Sequence, residues 1–155
     1  MRYVRRVLQP GETVVYETRL HPVIYWRAVV WLVIAAAFAA AAWYRLDDQN
    51  LALAFGAAAA LVALVALWSA LRAFTRRAST ELAVTDQRVI YKTGLLARHT
   101  LEMNRAKVES VTVDQSLLGR VFGHGTVTVR GIGSAFEPIP NISDPLTFRN
   151  YLTTS

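Results

Sequence analysis

Two long apolar runs followed by a sharp change of texture organise this chain. Ala28 to Tyr44 (AVVWLVIAAAFAAAAWY) and Leu51 to Leu71 (LALAFGAAAALVALVALWSAL) contain no charged residue. At about 1.5 Å of rise per residue the first run makes about 26 Å of helix, slightly short of a hydrocarbon core of about 30 Å. Arg27 and Arg45 flank it and can snorkel to make up the difference. The segment between the runs, residues 45–50, is short and polar, so the pattern predicts a transmembrane helical hairpin within residues 25–77, with spans 28–44 and 51–71. Tyr25, Trp26 and Trp68 fall at one end of the pair and Trp43 and Tyr44 at the other, as bilayer interfaces favour. Neither run carries the polar stripe of a water-facing helix. The competing reading is an Ala-rich hairpin buried in an ordinary globular protein. A secretory signal fits less well, because residues 1–27 include Glu12 and Glu17 and are long for a leader.

Beyond Arg77 the apolar runs give way to alternation. Short period-two segments predict strands at 80–85 (Leu82 and Val84 inward), 88–93 (Val89, Tyr91), 98–103 (Leu101, Met103), 107–113 (Val111, Val113) and 126–130, where Val127 and Val129 alternate with Thr and Arg. A weaker one at 135–139 is confined to an edge by Pro138 and Pro140. Closely spaced short strands imply an antiparallel barrel or sandwich. Asp144 and Pro145 predict a helix start, with Leu146, Phe148, Tyr151 and Leu152 as its apolar face. In the N-terminal segment, 1–24, residues 1–9 predict a short helix with Tyr3, Val4, Val7 and Leu8 on one side, lying on a membrane or on the barrel. Residues 13–19 have strand composition, with Val14, Tyr16 and Thr18 on one face. A lone strand is unstable in water, so this one is expected to join an edge of the barrel formed by residues 78–155.

The chain has 155 residues, 54% of them hydrophobic and 18% charged, with a formal charge of +6. Mean hydropathy is +0.29. This is more apolar and less charged than a typical soluble domain. Basic residues precede the first run and follow the second, whereas the loop holds one Arg against two Asp. The positive-inside rule therefore places both termini in the cytoplasm of a multi-pass membrane protein, at the bacterial cytoplasmic (inner) membrane. The flanks of the spans account for much of the positive charge, so it does not argue for nucleic acid.

The run ELAVTDQRVIYKTGLLARHTLEMNRAKVESVTVDQSLLGRVFGHGTVTVRG, followed by EPIPNISDPLTFRNYL, resembles the bacterial pleckstrin-homology-like domain of the second type. Proteins of that family often place a transmembrane hairpin before the domain, and PGETVVYETRLHP also resembles them. The resemblance implies a membrane α-helical hairpin plus a mainly-β pleckstrin-homology-like barrel with a C-terminal helix, in a scaffolding or binding role. It also implies homo-oligomers, which such barrels form.

Chemistry is sparse. With no cysteine there is no disulfide, thiol nucleophile or Cys zinc site. His21, His99 and His124 are isolated, without metal-ligand spacing. Gly131-x-Gly133 lacks a third glycine and a following helix, so it is a turn rather than a nucleotide site. Asn141-Ile142-Ser143 fits a glycosylation sequon by chance. The residues predict no enzyme, no cofactor and no metal. Phosphoinositide binders resemble one another in a basic first hairpin, but here that turn is Thr85-Asp86-Gln87-Arg88, one acid against one base. Arg72, Arg76, Arg77, Arg105 and Lys107 either serve only as anchoring charge beside the membrane, the favoured reading, or meet anionic lipids. Residues 116–123 (SLLGRVFG) form one apolar turn with Leu117, Leu118, Arg120, Val121 and Phe122. It is either a plug for an open barrel end, the favoured reading, or a docking turn for a partner or the bilayer interface. Gly56 and Ala60, four apart, suit close helix packing in lipid. A pore is disfavoured because no ionisable residue lies inside either span. The expected function is a membrane-anchored, non-enzymatic adaptor for self-association or a membrane protein partner. The alternatives are an anionic-lipid surface sensor and an accessory subunit of a transport complex.

Overall fold

The computed structural model describes residues 3–95, 99–135 and 138–153. The chain divides into two units, Met1–Val23 with Arg76–Ser155, and Ile24–Thr75.

The second unit is made of apolar helix. Helix α2, Trp26–Tyr44, leads through a short turn into α3, Gln49–Ser79, whose first backbone N–H groups at Asn50 and Leu51 are capped by the Asp48 carboxylate. Both are long and apolar enough to cross a membrane. Helix α3 runs past Leu71 through Arg72, Arg76 and Arg77 because charge ends an apolar run without ending a helix; Arg is a good helix former. The helices meet through small residues, with Ala28, Ala35 and Ala66 buried, and through the Phe38 and Phe55 rings at 6.3 Å. Their other faces expose large side chains, among them Val33 at 63% and Leu61 at 66%.

The first unit is a small barrel of two antiparallel sheets. One sheet has the order β1-β2-β3-β4: Val14–Thr18, Glu81–Thr85, Arg88–Thr93 and His99–Asn104. In the other, β6 (His124–Gly131) pairs with β5 (Val108–Asp114) on one side. On its other side β6 pairs with the two-residue β7 (Ser134–Ala135) and with β8 (Ile139–Ser143). Strand β8 runs through Pro140, which an edge position tolerates. The weak strand expected at 135–139 thus lies mostly later; residues 136–137, like 98 in the strand expected at 98–103, are outside the described residues. The sheets meet where β1 continues to Leu20, which bridges to Ile142, while the Ser143 N–H donates to the Arg19 carbonyl at 3.1 Å.

Alternation builds the core. Leu82, Val84, Val89, Met103, Val127, Val129, Ile139 and Ile142 project between the sheets, and α5 (Pro145–Thr153) adds Phe148 and Leu152. Leu146 and Tyr151, expected on the apolar face of that helix, are instead only partly covered, at 46% and 42% exposure; Tyr151 stacks on Tyr16 with ring centroids 4.9 Å apart.

Strand β1 is the edge partner of β2, with Thr18 opposite Leu82 and Val14 opposite Thr85. A bulge between Val14 and Tyr16 breaks the alternation. Tyr16 therefore packs on the main core, while Val14 joins a second cluster on the outer face of the sheet with Val4, Ala83 and Ile90. The expected common face for Val14 and Tyr16 is corrected by this bulge. The second cluster exists because α1, Val4–Val7, lies on the barrel, with Val4 fully buried.

Candidate functional site

The two ends of the barrel have different chemistry. At one end lie the β2–β3 turn, the end of β4, the start of β5 and the C-terminus of α5. Here the Arg88 guanidinium grips Glu12 through Nε and Nη2 at 2.9 and 2.8 Å. It also donates through Nη1 to Glu102 at 2.7 Å and through Nη2 to the Val7 carbonyl at 2.8 Å. The Glu12 side chain is fully buried and also accepts from the Thr85 hydroxyl and the Gln9 N–H. Burial alone would raise the Glu12 carboxyl; the hydrogen bonds from Arg88, Gln9 and Thr85, with the Arg88 charge, overcome it and hold the group below the ordinary glutamate range. Asp86, which the sequence paired against Arg88, instead accepts from the Thr13 N–H at 3.0 Å. Arg105 donates to the carbonyls of Tyr151 and Leu152 and so caps α5. A shallow groove beside it, lined by Asp86, Asn104, Arg105, Glu109 and Thr153 among others, carries both signs of charge and selects neither.

At the opposite end the chain leaves for the helices and returns from them. His21 donates its backbone N–H to the Asn141 carbonyl, and its ring lies 5.2 Å from that of His124. Arg77 Nε donates to the Leu20 carbonyl at 3.0 Å. Burial, with the neighbouring His124 and Arg77, pushes the His21 imidazole below its ordinary value.

Helix α4, Leu117–Phe122, sits at this end. Ser116 caps it by accepting from the Gly119 N–H at 3.0 Å, and Gly123 closes it in the left-handed conformation at φ 71°. Its only buried residue is Gly119. A Cβ there would stand 2.7 Å from the His124 carbonyl oxygen, so glycine lets the helix backbone press against the start of β6. Every large side chain consequently points away from the barrel: Leu117 is 81% exposed, Leu118 68%, Val121 78% and Phe122 59%. The favoured expectation that this turn plugs the barrel is corrected, since α5 supplies the closing side chains and α4 turns only a glycine inward. Leaving four such side chains in water forgoes about 1.5–3 kcal/mol of burial each.

The five cations expected to meet anionic lipid do not form one cluster. Arg105 and Lys107 lie at the Glu12–Arg88 end, with Arg105 committed to α5; Arg76 and Arg77 lie at the α4 end, with Arg77 committed to Leu20. Arg72 is exposed on α3 in the helical unit. Gly56 and Ala60 are exposed and take no part in the contact between α2 and α3; a Gly56 Cβ would meet nothing within 4 Å. Among the described residues no group of three His, Asp or Glu could hold a metal. Sequence reasoning missed the Glu12–Arg88 pair, because nothing local marks two charges 76 positions apart as partners.

Two sheets around one core, closed by a C-terminal helix, define a pleckstrin-homology-like module of the kind that binds proteins or lipids. The family model described as "Bacterial PH domain" matches residues 14–154, nearly the whole chain, and the chain belongs to that family. The match starts at the first residue of β1 and runs through both apolar helices. Neither the curated proteins nor the solved structures gave a match.

Proposed function

We propose that the chain is a non-enzymatic, membrane-anchored adaptor. In this reading α2 and α3 cross the bacterial cytoplasmic membrane as a hairpin, both termini stay in the cytoplasm, and the barrel is displayed there for self-association or for a membrane protein partner. The observation that carries it is the insertion of the apolar hairpin between β1 and β2, which are hydrogen-bonded neighbours in one sheet. An anchor joined to a domain by a tether can be cut away and leave the domain whole. This one cannot, because the barrel takes an edge strand from before the hairpin and its remaining strands from after it. The excess of Arg on both flanks and the acidic loop support the orientation. The exposed Gly56 and Ala60 offer a small-residue face to a second copy.

The test is the state of the full chain extracted in mild detergent. The adaptor reading expects a defined oligomer, or a stoichiometric complex with one membrane protein, that survives high salt. If Gly56 lies in the contact, Gly56→Leu reduces the oligomer. A monomer without a partner at any salt, together with salt-sensitive binding to anionic vesicles, would replace the adaptor by the lipid sensor. That second reading is favoured by one observation, the exposed apolar α4 with Arg120 upon it.

A further inference from the structure

Resting on the reading that the hairpin spans a bilayer, we infer that α4 is a lipid-contacting wedge, inserted at the boundary between headgroups and acyl chains where the hairpin enters the membrane. Its occupant is the bilayer surface and not a protein groove.

Position is the first argument. Gly123, which ends α4, accepts at its carbonyl from the Asp144 N–H at 2.9 Å. The next residue, His124, pairs with Ser143 across the sheet and places its ring against His21. Leu20, one residue earlier, receives Arg77 from the returning chain. Helix α4 therefore sits beside residues 20–23 and 76–80, through which the chain passes to and from the apolar helices. The covalent path into and out of the apolar helices therefore leaves the barrel at the α4 end.

The distribution of apolar surface points the same way. Among the described residues of the barrel unit, the large apolar side chains more than half exposed are Leu117, Leu118, Val121, Phe122, Leu95 and Ile132. All but Ile132 lie at this end. Leu95 follows β3, whose last residue, Thr93, lies 3.3 Å from Thr80 through their hydroxyls, at the point where α3 gives way to β2. Two separate loops thus present apolar side chains beside the same junction.

Charge and polar satisfaction complete the case. Helix α4 carries no acid and one exposed cation, Arg120, while Arg19 and Arg76 are exposed at the same end. Leu and Phe flanked by Arg suit an anionic interface. The Ser116 hydroxyl accepts from the Gly119 N–H and the Gly123 N–H donates to the Gly119 carbonyl, which lowers the cost of bringing the helix ends to an apolar boundary.

The chain has no cysteine, so single cysteines can be placed without altering a native thiol. Leu118→Cys, Ile132→Cys and Leu61→Cys, each in the full chain, are labelled with an environment-sensitive fluorophore. Each is then reconstituted in phosphatidylethanolamine–phosphatidylglycerol vesicles, with or without phospholipid bearing a nitroxide quencher. The wedge predicts that the label at Leu118 is blue-shifted and loses most of its emission to a nitroxide near the headgroup. The label at Ile132 stays water-exposed and unquenched, and that at Leu61 is quenched by a nitroxide deep in the chains. If Leu61 is quenched while Leu118 behaves like Ile132, the hairpin stands and the wedge is wrong. If Leu118 is blue-shifted but unquenched, α4 is covered by protein and the wedge is again wrong. If Leu61 is not quenched, the spanning reading fails and takes the wedge with it.

Discussion

The two ends of the barrel solve opposite problems with similar amounts of sequence. At the far end a buried carboxylate is matched by a partly buried guanidinium: Glu12 accepts from Arg88, Thr85 and Gln9, and Arg105 donates to two α5 carbonyls. At the junction end, four large apolar side chains on the six residues of α4 are mostly exposed. One end is finished by the chain itself. The other leaves its apolar side chains uncovered, and the contrast separates residues that hold the fold from residues that do not.

Removing what precedes the hairpin should break the far end most severely. Residues 78–155 alone lose β1, the α1 cover over Ala83 and Ile90, and Glu12, leaving Arg88 without its buried acid. That fragment should fail to give a cooperative thermal transition. Residues 1–23 joined by a flexible linker to residues 76–155 should give one, because loop closure costs grow slowly with length. Equal stability of the two would separate β1 from the barrel.

Next in size is Arg88→Met, which leaves Glu12 buried without its cation and should cost about 3–5 kcal/mol in denaturant unfolding of the linked barrel. Glu12→Gln tests the same pair through pH. Because the folded Glu12 carboxyl lies below its unfolded value, its contribution is fully present above the unfolded value. It is lost as pH falls through the folded one. The wild-type barrel should therefore lose stability with acid more steeply than Glu12→Gln, and parallel acid profiles would contradict the assignment.

The smallest effect belongs to the junction end. Leu118→Ser with Val121→Ser should change barrel stability by no more than about 0.5 kcal/mol, as exposed positions do, while weakening the association of the linked barrel with anionic vesicles. A large loss of stability would mean that α4 supports the core after all.

Much of the barrel was legible because its cause is local. Val127 and Val129, or Leu82 and Val84, declare an inward face by alternation alone, and Asp144-Pro145 declares a helix start. What was hidden depends on distance or on a single atom. The Val14–Tyr16 bulge moves one valine to the other face of the sheet without any mark in composition. The Glu12–Arg88 pair joins segments separated by the whole hairpin. For SLLGRVFG, helical spacing revealed the turn and its apolar residues, but not which way they point. That direction is set by Gly119, whose missing Cβ lets the backbone approach β6 and turns the leucines outward.

The crossing of the bilayer by α2 and α3 is tested most directly by chemical access in intact bacteria. Asp48→Cys, in the turn between the helices, and Lys107→Cys, on the barrel, are each exposed to a membrane-impermeant maleimide that reaches the periplasm. The account predicts that Asp48→Cys is labelled in intact cells and Lys107→Cys only after lysis. Labelling of Lys107→Cys in intact cells, or protection of Asp48→Cys until lysis, would contradict it.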